Sequence, residues 1–372
     1  MCPPDLVEER TNLFGVSREQ LANFLRRIDD RPYRANQVLK WLYHERELDI
    51  GAMTNLSKIF RAELSSLTDV TLPTALHESV SSDGTAKWIV ETIDGGAVES
   101  VLIPDGRRNT LCISSQRGCS LDCAFCATGK QGFAGNLRVE DMVGQAILAR
   151  DWLAQDDSRG ELTNIVFMGM GEPLMNFESA MTASDIFMDD LAFGLSKRRV
   201  TISTAGVVPR ILDMCGRTEA SLAVSLHAPN DELRDYLVPI NRKYPIKELL
   251  NACREYLASL GDRRIVTIEY TLIHSVNDSD ALALDLSRLL RDFRCKVNLI
   301  QFNPIECSDL QRPSLNRLQS FQRVLMDNKI MVTHRKTRGL DIDAACGQLV
   351  GSFADKTRRR ERYRELQSTS AL

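Results

Sequence analysis

Between residues 110 and 302, six short apolar stretches alternate with longer amphipathic ones. Nearly continuous apolar runs are typical of strands buried on both faces, and the stretches between them have the spacing of helices that cover a sheet. This repeat predicts an α/β fold with a parallel sheet, and in barrel-like versions of it the active site lies at the carboxyl ends of the strands. The predicted strands are 110–115, 164–170, 199–204, 221–227, 265–273 and 296–302.

A different pattern precedes this repeat. Residues 1–75 contain three stretches with helical spacing of apolar residues, and Ser17 followed by Gln20 has the form of a helix-capping box. We therefore expect a helical domain that is either a packing module or a binding surface. Residues 86–92 and 97–104 are strand-like and flank a glycine-containing turn, which predicts a β-hairpin leading into the first strand of the repeat.

The hairpin and the repeat form the expected core domain, 76–350, whose last part is predicted as a strand, a loop and a helix. A basic tail over 351–372 follows, in which residues 356–364 hold six basic residues and one acid. The formal net charge of the chain is −3, so any contact with nucleic acid would depend on local basic patches. Charged runs also commonly just face water.

The composition is that of an ordinary soluble globular protein, with 43% hydrophobic and 26% charged residues. No apolar run has the length needed to span a bilayer, and the chain opens without an apolar signal segment. We therefore expect a cytoplasmic protein that does not bind membranes, in a reducing compartment where its ten cysteines stay free.

Cys119, Cys123 and Cys126 form a C-x3-C-x2-C run just after the first strand of the repeat. Thiolates are the usual ligands of iron–sulfur clusters, and a [4Fe–4S] cluster held entirely by protein takes four of them. Three close cysteines without a fourth nearby predict a cluster with one iron open to a small molecule. The alternatives are a structural zinc site, which normally needs four ligands, and disulfides or inert thiols.

Glycine and short polar residues follow several of the predicted strands. Glycine lets the backbone approach a ligand closely, and a carboxylate suits an amino group. Each residue alone is equally consistent with a turn or, for the histidine, with the core; their shared position at strand ends makes them a candidate ligand site. They are Gly171, Glu172, Ser203, Ser225, Leu226, His227 and Asn303.

Two further cysteines are candidates for chemistry. Strand alternation places Cys112 on the face opposite Leu111 and Ile113, and Cys346 lies in a small-residue segment near the end of the core. Beside the predicted cluster they could pair transiently or carry a covalent group, but free cysteines are also often small buried hydrophobes. Glu99, on the preceding strand, would ordinarily be an exposed strand acid.

Taken together, the motifs resemble the RlmN/Cfr family of radical S-adenosylmethionine (SAM) RNA methyltransferases over most of the chain. The resemblance implies a radical SAM partial (β/α)6 barrel with an N-terminal helical accessory domain. It also implies one [4Fe–4S] cluster held by Cys119, Cys123 and Cys126, with SAM bound at the strand-end positions given above. The motifs are RPYRANQVLKWLYHE, LCISSQRGCSLDCAFC, FMGMGEPL, SKRRVTISTAGVVP, SLHAPND, VTIEYTLI, QFNP and KTRGLDIDAACGQL.

The resemblance further implies a reaction that consumes two SAM molecules. Cys346 would accept a methyl group from the first, and a 5′-deoxyadenosyl radical made from the second would abstract hydrogen from that S-methyl group. The carbon radical would add to C2 of an adenine in 23S rRNA or in the anticodon loop of tRNA, giving a protein–RNA adduct. Cys112 would release the product by forming a disulfide with Cys346, and Glu99 matches the position of the proton acceptor.

Two alternatives remain beside this interpretation. A Cfr-type enzyme would methylate adenine C8, and a noncatalytic RNA-binding protein would hold only a structural metal. The resemblance also implies a reductant such as flavodoxin or ferredoxin and a monomeric chain. Two positions depart from the family pattern: Gly135 stands where arginine is usual, and Arg117 where a small apolar residue is usual. Loss of the arginine would weaken a phosphate contact near the cysteine loop.

Overall fold

The structure is a computed structural model that describes residues 10–29, 31–305, 308–352, 354–357 and 359. Most of the predicted basic tail lies outside these residues, including the greater part of the run 356–364. Within the described ranges, each helix is too short or too polar to cross a bilayer.

Fourteen strands are present in the described residues, and ten of them form one sheet. They are β1 (Thr11–Asn12), β2 (Thr68–Asp69), β3 (Thr74–Val80), β4 (Ala86–Glu91), β5 (Ala97–Asp105), β6 (Arg108–Cys112), β7 (Gln116–Gly118), β8 (Phe133–Asn136), β9 (Asn164–Phe167), β10 (Val200–Thr204), β11 (Ser221–Ser225), β12 (Val266–Leu272), β13 (Cys295–Gln301) and β14 (Val332–His334).

Most of the helices follow strands of this sheet. The α-helices are α1 (Arg18–Leu25), α2 (Tyr33–Lys40), α3 (Lys58–Leu67), α4 (Ala127–Gln131), α5 (Val139–Ala154), α6 (Phe177–Met188), α7 (Val208–Asp213), α8 (Asp231–Leu237), α9 (Ile246–Ser259), α10 (Asp280–Leu290) and α11 (Leu315–Asp327). Trp41–Glu45 continues α2 as a π-helical turn, and short 3-10 turns occur at Leu13–Gly15, Ile50–Ala52, Asp157–Arg159, Pro173–Asn176, Pro239–Arg242 and Leu340–Ile342.

The strand order of the large sheet is β14-β13-β12-β11-β10-β9-β6-β5-β4-β3. From β6 to β14 all neighbours are parallel, and from β3 to β6 they are antiparallel. The apolar side chains of the parallel strands pack against the covering helices in one buried cluster. The predicted α/β fold and its partial barrel are confirmed, and so is the hairpin, whose strands are β4 and β5.

Strand β3 and the short strands β1, β2, β7 and β8 were not predicted, and the helix at the end of the core was predicted wrongly. Strand β3 escapes the apolar pattern because it is the edge strand of the sheet and most of its side chains are exposed. No α-helix follows the 3-10 turn Leu340–Ile342 in the described residues up to 352. There Gly347 has a left-handed φ of 86°, and its carbonyl accepts a hydrogen bond from Ala127 N–H of the cysteine loop instead of a helical partner.

The N-terminal helices pack directly on the barrel. The capping box of α1 is present, since Ser17 Oγ accepts from Gln20 N–H and Gln20 Oε1 accepts from Ser17 N–H. Apolar side chains of α1–α3 belong to the same buried cluster as those of the sheet. The ring of Tyr43 links Phe14, 5.4 Å away, to Phe193, 5.7 Å away in the segment after α6. An ion pair from Arg18 to Asp189 adds a polar contact at this junction.

Candidate functional site

A cavity lies at the carboxyl ends of the parallel strands, enclosed by the loops that follow β6 and β9–β14. It contains about 1010 Å³ of space free of protein atoms, including the part that opens to solvent. This size is at the upper end for small-molecule sites. Ten of the residues singled out in the sequence line it: Cys119, Cys123, Cys126, Gly171, Glu172, Ser203, Ser225, His227, Asn303 and Cys346.

The other three singled-out residues do not line this cavity. Leu226 stands between Ser225 and His227 in the sequence, but its side chain is fully buried in the hydrophobic core. Cys112 and Glu99 lie in the adjacent strands β6 and β5, and both are buried. Glu99 is therefore not the exposed strand acid that its position in the sequence would ordinarily indicate.

The cysteine loop, which we define as residues 119–132, carries its three thiols on one side of the cavity. Cys126 N–H donates to the Cys123 carbonyl at 3.2 Å, and Cys119 N–H donates to the Gly132 carbonyl at 2.7 Å, which closes the loop. All three cysteines are free thiols. Burial raises the pKa of the Cys119 and Cys123 thiols.

Three thiols from one short loop, facing a cavity that also holds a carboxylate and an imidazole, are a donor set that fits an iron–sulfur cluster with an open position. Among the residues that the structure describes, no three His, Cys, Asp or Glu side chains meet closely enough to hold a single metal ion.

Glu172 is buried beside the cysteine loop and is held by backbone donors. Its Oε2 accepts from Ala205 N–H at 2.7 Å, and its Oε1 accepts from Leu174 N–H at 3.0 Å. Burial raises the pKa of this carboxyl to about 7, against the effect of those donors. Gly171 before it has a φ of 96°, and a Cβ there would lie 2.5 Å from Gln116 Cβ, so only glycine fits. A buried carboxylate in this position can accept hydrogen bonds from an amino group.

His227 is both part of the folded framework and part of the cavity wall. Its Nδ1 accepts a hydrogen bond from Thr271 N–H at 2.9 Å, which places the proton of the neutral ring on Nε2. Burial, with a smaller contribution from Arg234, lowers its pKa to about 3, so the ring is neutral at physiological pH. Phe125 of the cysteine loop packs edge-on against it at 4.5 Å. The ring can thus donate one hydrogen bond without carrying charge.

Asn303 connects the strand-end residues to Cys346. Its Nδ2 donates to the Cys346 carbonyl at 3.1 Å, while its buried Oδ1 has no hydrogen-bond partner among the described residues. A buried acceptor without a partner is costly and is commonly satisfied by a ligand. The side chain of Cys346 is exposed to the open cavity, close to the carbonyl that Asn303 holds.

Sequence reasoning missed two charged residues of the cavity wall, Arg335 and Glu269. Glu269 is buried and accepts from Asn298 Nδ2 at 2.8 Å. Arg335 follows β14 and interacts electrostatically with Cys346, Glu269 and Cys112. The signal available for Glu269 was a lone acid within an apolar strand. Arg335 begins the basic run 335–338, and such runs commonly just face water, so nothing in the sequence indicated that its side chain turns inward.

Cys112 and Glu99 lie behind the cavity wall near Cys346. Burial raises the pKa of the Cys112 thiol to about 12, with Arg335 acting in the opposite sense. Glu99 pairs with Lys87 Nζ at 3.0 Å and accepts from Val350 N–H at 2.9 Å. Burial raises the pKa of the Glu99 carboxyl against these two partners. Glu99 is thereby tied to the segment that follows Cys346.

Comparison with known proteins gives consistent results along the whole chain. The family model described as "Ribosomal RNA large subunit methyltransferase N-terminal domain" matches residues 11–70, and that of the "Radical SAM superfamily" matches 113–286. A dual-specificity RNA methyltransferase RlmN of Marinomonas sp. (strain MWYL1) is 52% identical over 368 residues, covering 98% of this chain and 99% of that protein. The RlmN of Pseudomonas fluorescens (strain SBW25) is 49% identical, covering 98% and 96%.

A solved structure agrees with these relatives. The crystal structure of a radical SAM methyltransferase from Sphaerobacter thermophilus superposes with a TM-score of 0.83 at 43% sequence identity. The match covers 91% of this chain and 99% of that one.

Proposed function

The chain belongs to the RlmN family of radical SAM RNA methyltransferases, and on that premise we propose that it methylates C2 of a specific adenosine in 23S rRNA and in the anticodon loop of tRNA. Relatives that match nearly its whole length are named dual-specificity RNA methyltransferases, which supports two RNA substrates. The observation that carries the proposal is the position of Cys346 in one cavity with Cys119, Cys123 and Cys126.

The family uses SAM and a [4Fe–4S] cluster, and we propose one cluster per chain and two SAM molecules per turnover. When bound, the cluster would supply the electron that cleaves SAM and starts the radical chemistry. Cys119, Cys123 and Cys126 would hold it. Glu172 and Asn303 Oδ1, which has no partner within the described part of the chain, would accept hydrogen bonds from SAM. The remaining SAM contacts would come from Gly171, Ser203, Ser225, His227 and the main chain of Leu226.

The chain's own cysteines would carry the transferred carbon. Because adenine C2 is not nucleophilic, direct displacement on SAM cannot methylate it, and Cys346 Sγ would accept the methyl group first. The carbon derived from that methyl group would then join C2. Cys112 would release the product by forming a disulfide with Cys346, and Glu99 would accept the proton that C2 loses. The mutual electrostatic interaction of the two cysteines with Arg335 supports their pairing.

The RNA must present its adenine outside a stack, because the cavity is recessed behind the cysteine loop. We propose that the helical region 1–75 grips the folded RNA, that 76–350 carries the chemistry and that the basic tail 351–372 adds a phosphate contact. We further propose a monomeric cytoplasmic enzyme that receives electrons from a flavodoxin or a ferredoxin.

Analysis of the modified nucleoside tests the proposal. The anaerobically reconstituted protein is incubated with SAM, a reductant and either a 23S rRNA fragment or a tRNA transcript, and nucleosides are identified by mass spectrometry. We expect 2-methyladenosine from both RNAs and none from Cys346→Ala, with Cys253→Ala, a buried cysteine of α9, as the matched control. The appearance of 8-methyladenosine would indicate the Cfr type. Absence of both the methylated base and 5′-deoxyadenosine would disprove the enzyme assignment.

The release step can be tested separately. Because Cys112 would break the bond between Cys346 and RNA, Cys112→Ala is expected to accumulate a covalent protein–RNA adduct. A denaturing gel would reveal it as a shifted band that ribonuclease removes. A fully active Cys112→Ala protein with no shifted band would exclude this role for Cys112.

A further inference from the structure

The segment that begins at Cys346 runs back across the cysteine loop. We call its described residues, 346–352, 354–357 and 359, the C-terminal strap. Ala127 N–H donates to the Gly347 carbonyl at 2.8 Å, and Thr128 Oγ1 donates to the Leu349 carbonyl at 2.7 Å. Gly351 N–H donates to Gln131 Oε1 at 2.8 Å. The strap is thus hydrogen-bonded to the loop over its first half.

The second half of the strap ends in a guanidinium that binds the loop backbone. Arg359 Nη1 donates to the carbonyls of Cys119, Leu121 and Gly129 at 3.2, 2.9 and 2.8 Å. Its Nη2 donates to the Ser120 carbonyl at 3.0 Å. Only 13% of the side chain is exposed, and Nε lies 4.0 Å from the Asp122 carboxylate.

One cation therefore binds four carbonyls from both sides of the loop. Arginine is suited to this because its planar fork presents five donors in a fixed geometry. A tight loop with its carbonyls turned inward has few alternative partners for them, and buried carbonyls without donors are costly. The guanidinium also places a positive charge beside a loop that would carry three negatively charged thiolates.

Asp355 fixes the strap where it reaches the loop end. Its Oδ1 accepts from Phe133 N–H at 3.2 Å and from Thr357 N–H at 2.7 Å. Gly132 makes room for this carboxylate, since a Cβ there would lie within 2.1 Å of Oδ1. Lys356 N–H donates to the Phe133 carbonyl at 2.9 Å, whereas the Lys356 side chain is exposed.

We propose that Arg359 is a positioning residue that locks the cysteine loop in its cluster-binding conformation, and that the strap couples this locked loop to the placement of Cys346. The inference rests on the proposed function for the identity of the bound cluster. Arg359 is not among the residues that line the cavity and instead binds the loop carbonyls, so it acts through the loop backbone. The position of Cys346 would be fixed together with the loop, because Cys346 is the first residue of the strap.

The test compares Arg359→Ala and Arg359→Lys with Lys356→Ala, which removes a positive charge from the same strap but keeps the backbone contact. Hydrogen exchange followed by mass spectrometry of the anaerobic holoprotein reports on peptides that cover the loop. Loss of cluster absorbance in the presence of a chelator reports on iron retention, and hydrogen exchange in peptides that cover 346–352 reports on the strap.

For Arg359→Ala we expect exchange in 119–132 and in 346–352 and chelator-driven iron loss to rise by about tenfold or more, the change that loss of one or two net hydrogen bonds produces. Arg359→Lys is expected to recover part of the effect and Lys356→Ala to match the parent. Unchanged exchange and iron retention in Arg359→Ala would overturn the proposal.

A variant that does not fold and a failure of the proposed function can each be told apart from a failure of this proposal. If Arg359→Ala does not fold, as judged by circular dichroism, the same measurements on Arg359→Lys decide, and parent-like values in that variant count against the proposal. None of the readouts requires RNA. A parent protein that holds a cluster but methylates no RNA would therefore contradict the proposed function. The role of Arg359 would still be decided by exchange and iron retention.

Discussion

Arg117 and Gly135 face each other across the β7–β8 pair. A Cβ at Gly135 would lie 2.9 Å from Arg117 Nη2, so the guanidinium occupies the space that a side chain at 135 would need. Arg117 Nη1 also donates to the Gly95 carbonyl of the hairpin turn. The arginine expected at position 135 is therefore replaced by one that reaches over from the opposite strand. The weakened phosphate contact that Gly135 alone would imply need not follow, because this region keeps a positive charge.

The sequence predicts the position of a single residue well where that residue follows a strand of the parallel sheet. Glu172, His227 and Asn303 follow strands of the parallel sheet, so their convergence could be predicted. Arg335 and Arg359 could not, because both act after the last strand, where no periodic pattern dictates which side chain turns inward. Which roles these cavity residues perform remains a prediction for the experiments described above.

Glu172 should make SAM binding depend on pH. Its carboxyl has a pKa raised to about 7, so it is charged above that pH and neutral below it. Attraction for the amino end of SAM is then present at pH 8 and lost as the pH falls through 7. For a group with this pKa, the affinity should fall by up to about tenfold between pH 8 and 6.

Anaerobic equilibrium dialysis of the cluster-loaded protein measures this affinity. Glu172→Gln should bind SAM more weakly than the parent and with no change over that range. A Glu172→Gln profile that kept the pH dependence of the parent would assign the titration to another group.

Breaking the Lys87–Glu99 ion pair should lower the free energy of unfolding by more than breaking an exposed ion pair. The two side chains are 12% and 4% exposed, so removing the cation leaves a buried, unpaired carboxylate. Lys87→Met is expected to cost about 3–5 kcal/mol at pH 8. The cost should fall as the pH is lowered to 5, because burial raises the pKa of the Glu99 carboxyl and Lys87→Met removes a partner that lowers it.

Denaturant unfolding at both pH values provides the measurement. The double variant Lys87→Met/Glu99→Gln should recover most of the loss, because no charge is then buried. Lys197→Met removes a similar pair to Glu219, 2.7 Å long but exposed, and should cost about 0–1 kcal/mol. Equal costs for the two lysine variants would contradict the assignment.

At the scale of elements, apolar pattern located the hairpin strands β4 and β5 and the parallel strands β6 and β9–β13. It failed where burial does not set the pattern. Strand β3 pairs along one edge and exposes most of its side chains, so apolar alternation is absent. The segment after Leu340–Ile342 has helix-forming residues, yet its carbonyls bind the cysteine loop, a long-range partner that local propensity does not encode.

The docking of α1–α3 should be visible in unfolding. Phe14 is 1% exposed and packs edge-on against Tyr43, which in turn packs against Phe193. Phe14→Ala is expected to cost about 3–5 kcal/mol, as for other buried aromatics. Because the helices share a core with the barrel, the whole chain should shift in one transition by both far-ultraviolet and near-ultraviolet circular dichroism.

An exposed residue of the same region serves as the control. Ile59 on α3 is 81% exposed, and Ile59→Ala should stay within about 0.5 kcal/mol of the parent. Two separate transitions in Phe14→Ala, with the barrel melting as in the parent, would mean that the N-terminal helices form an independent unit.

At the scale of the whole molecule, the six βα repeats predicted the architecture because a parallel sheet requires crossovers that cover it. The strands run sequentially from β9 to β14, an order that the prediction of a parallel sheet left open. The antiparallel extension through β5, β4 and β3 turns the sheet into a ten-stranded one. Glu99 lies on this extension and bonds to Val350, so the added strands support the site from behind.

The position of Arg359 in the chain has a consequence for how the enzyme matures. The ribosome makes the cysteine loop early and the arginine that closes it long afterwards. A nascent chain could fold most of its barrel while Cys119, Cys123 and Cys126 still lie on a loop that Arg359 does not yet hold. Iron delivery would then have to wait until Arg359 has been synthesised, and a carrier that donates the metal would meet a chain that already contains every strand of the sheet.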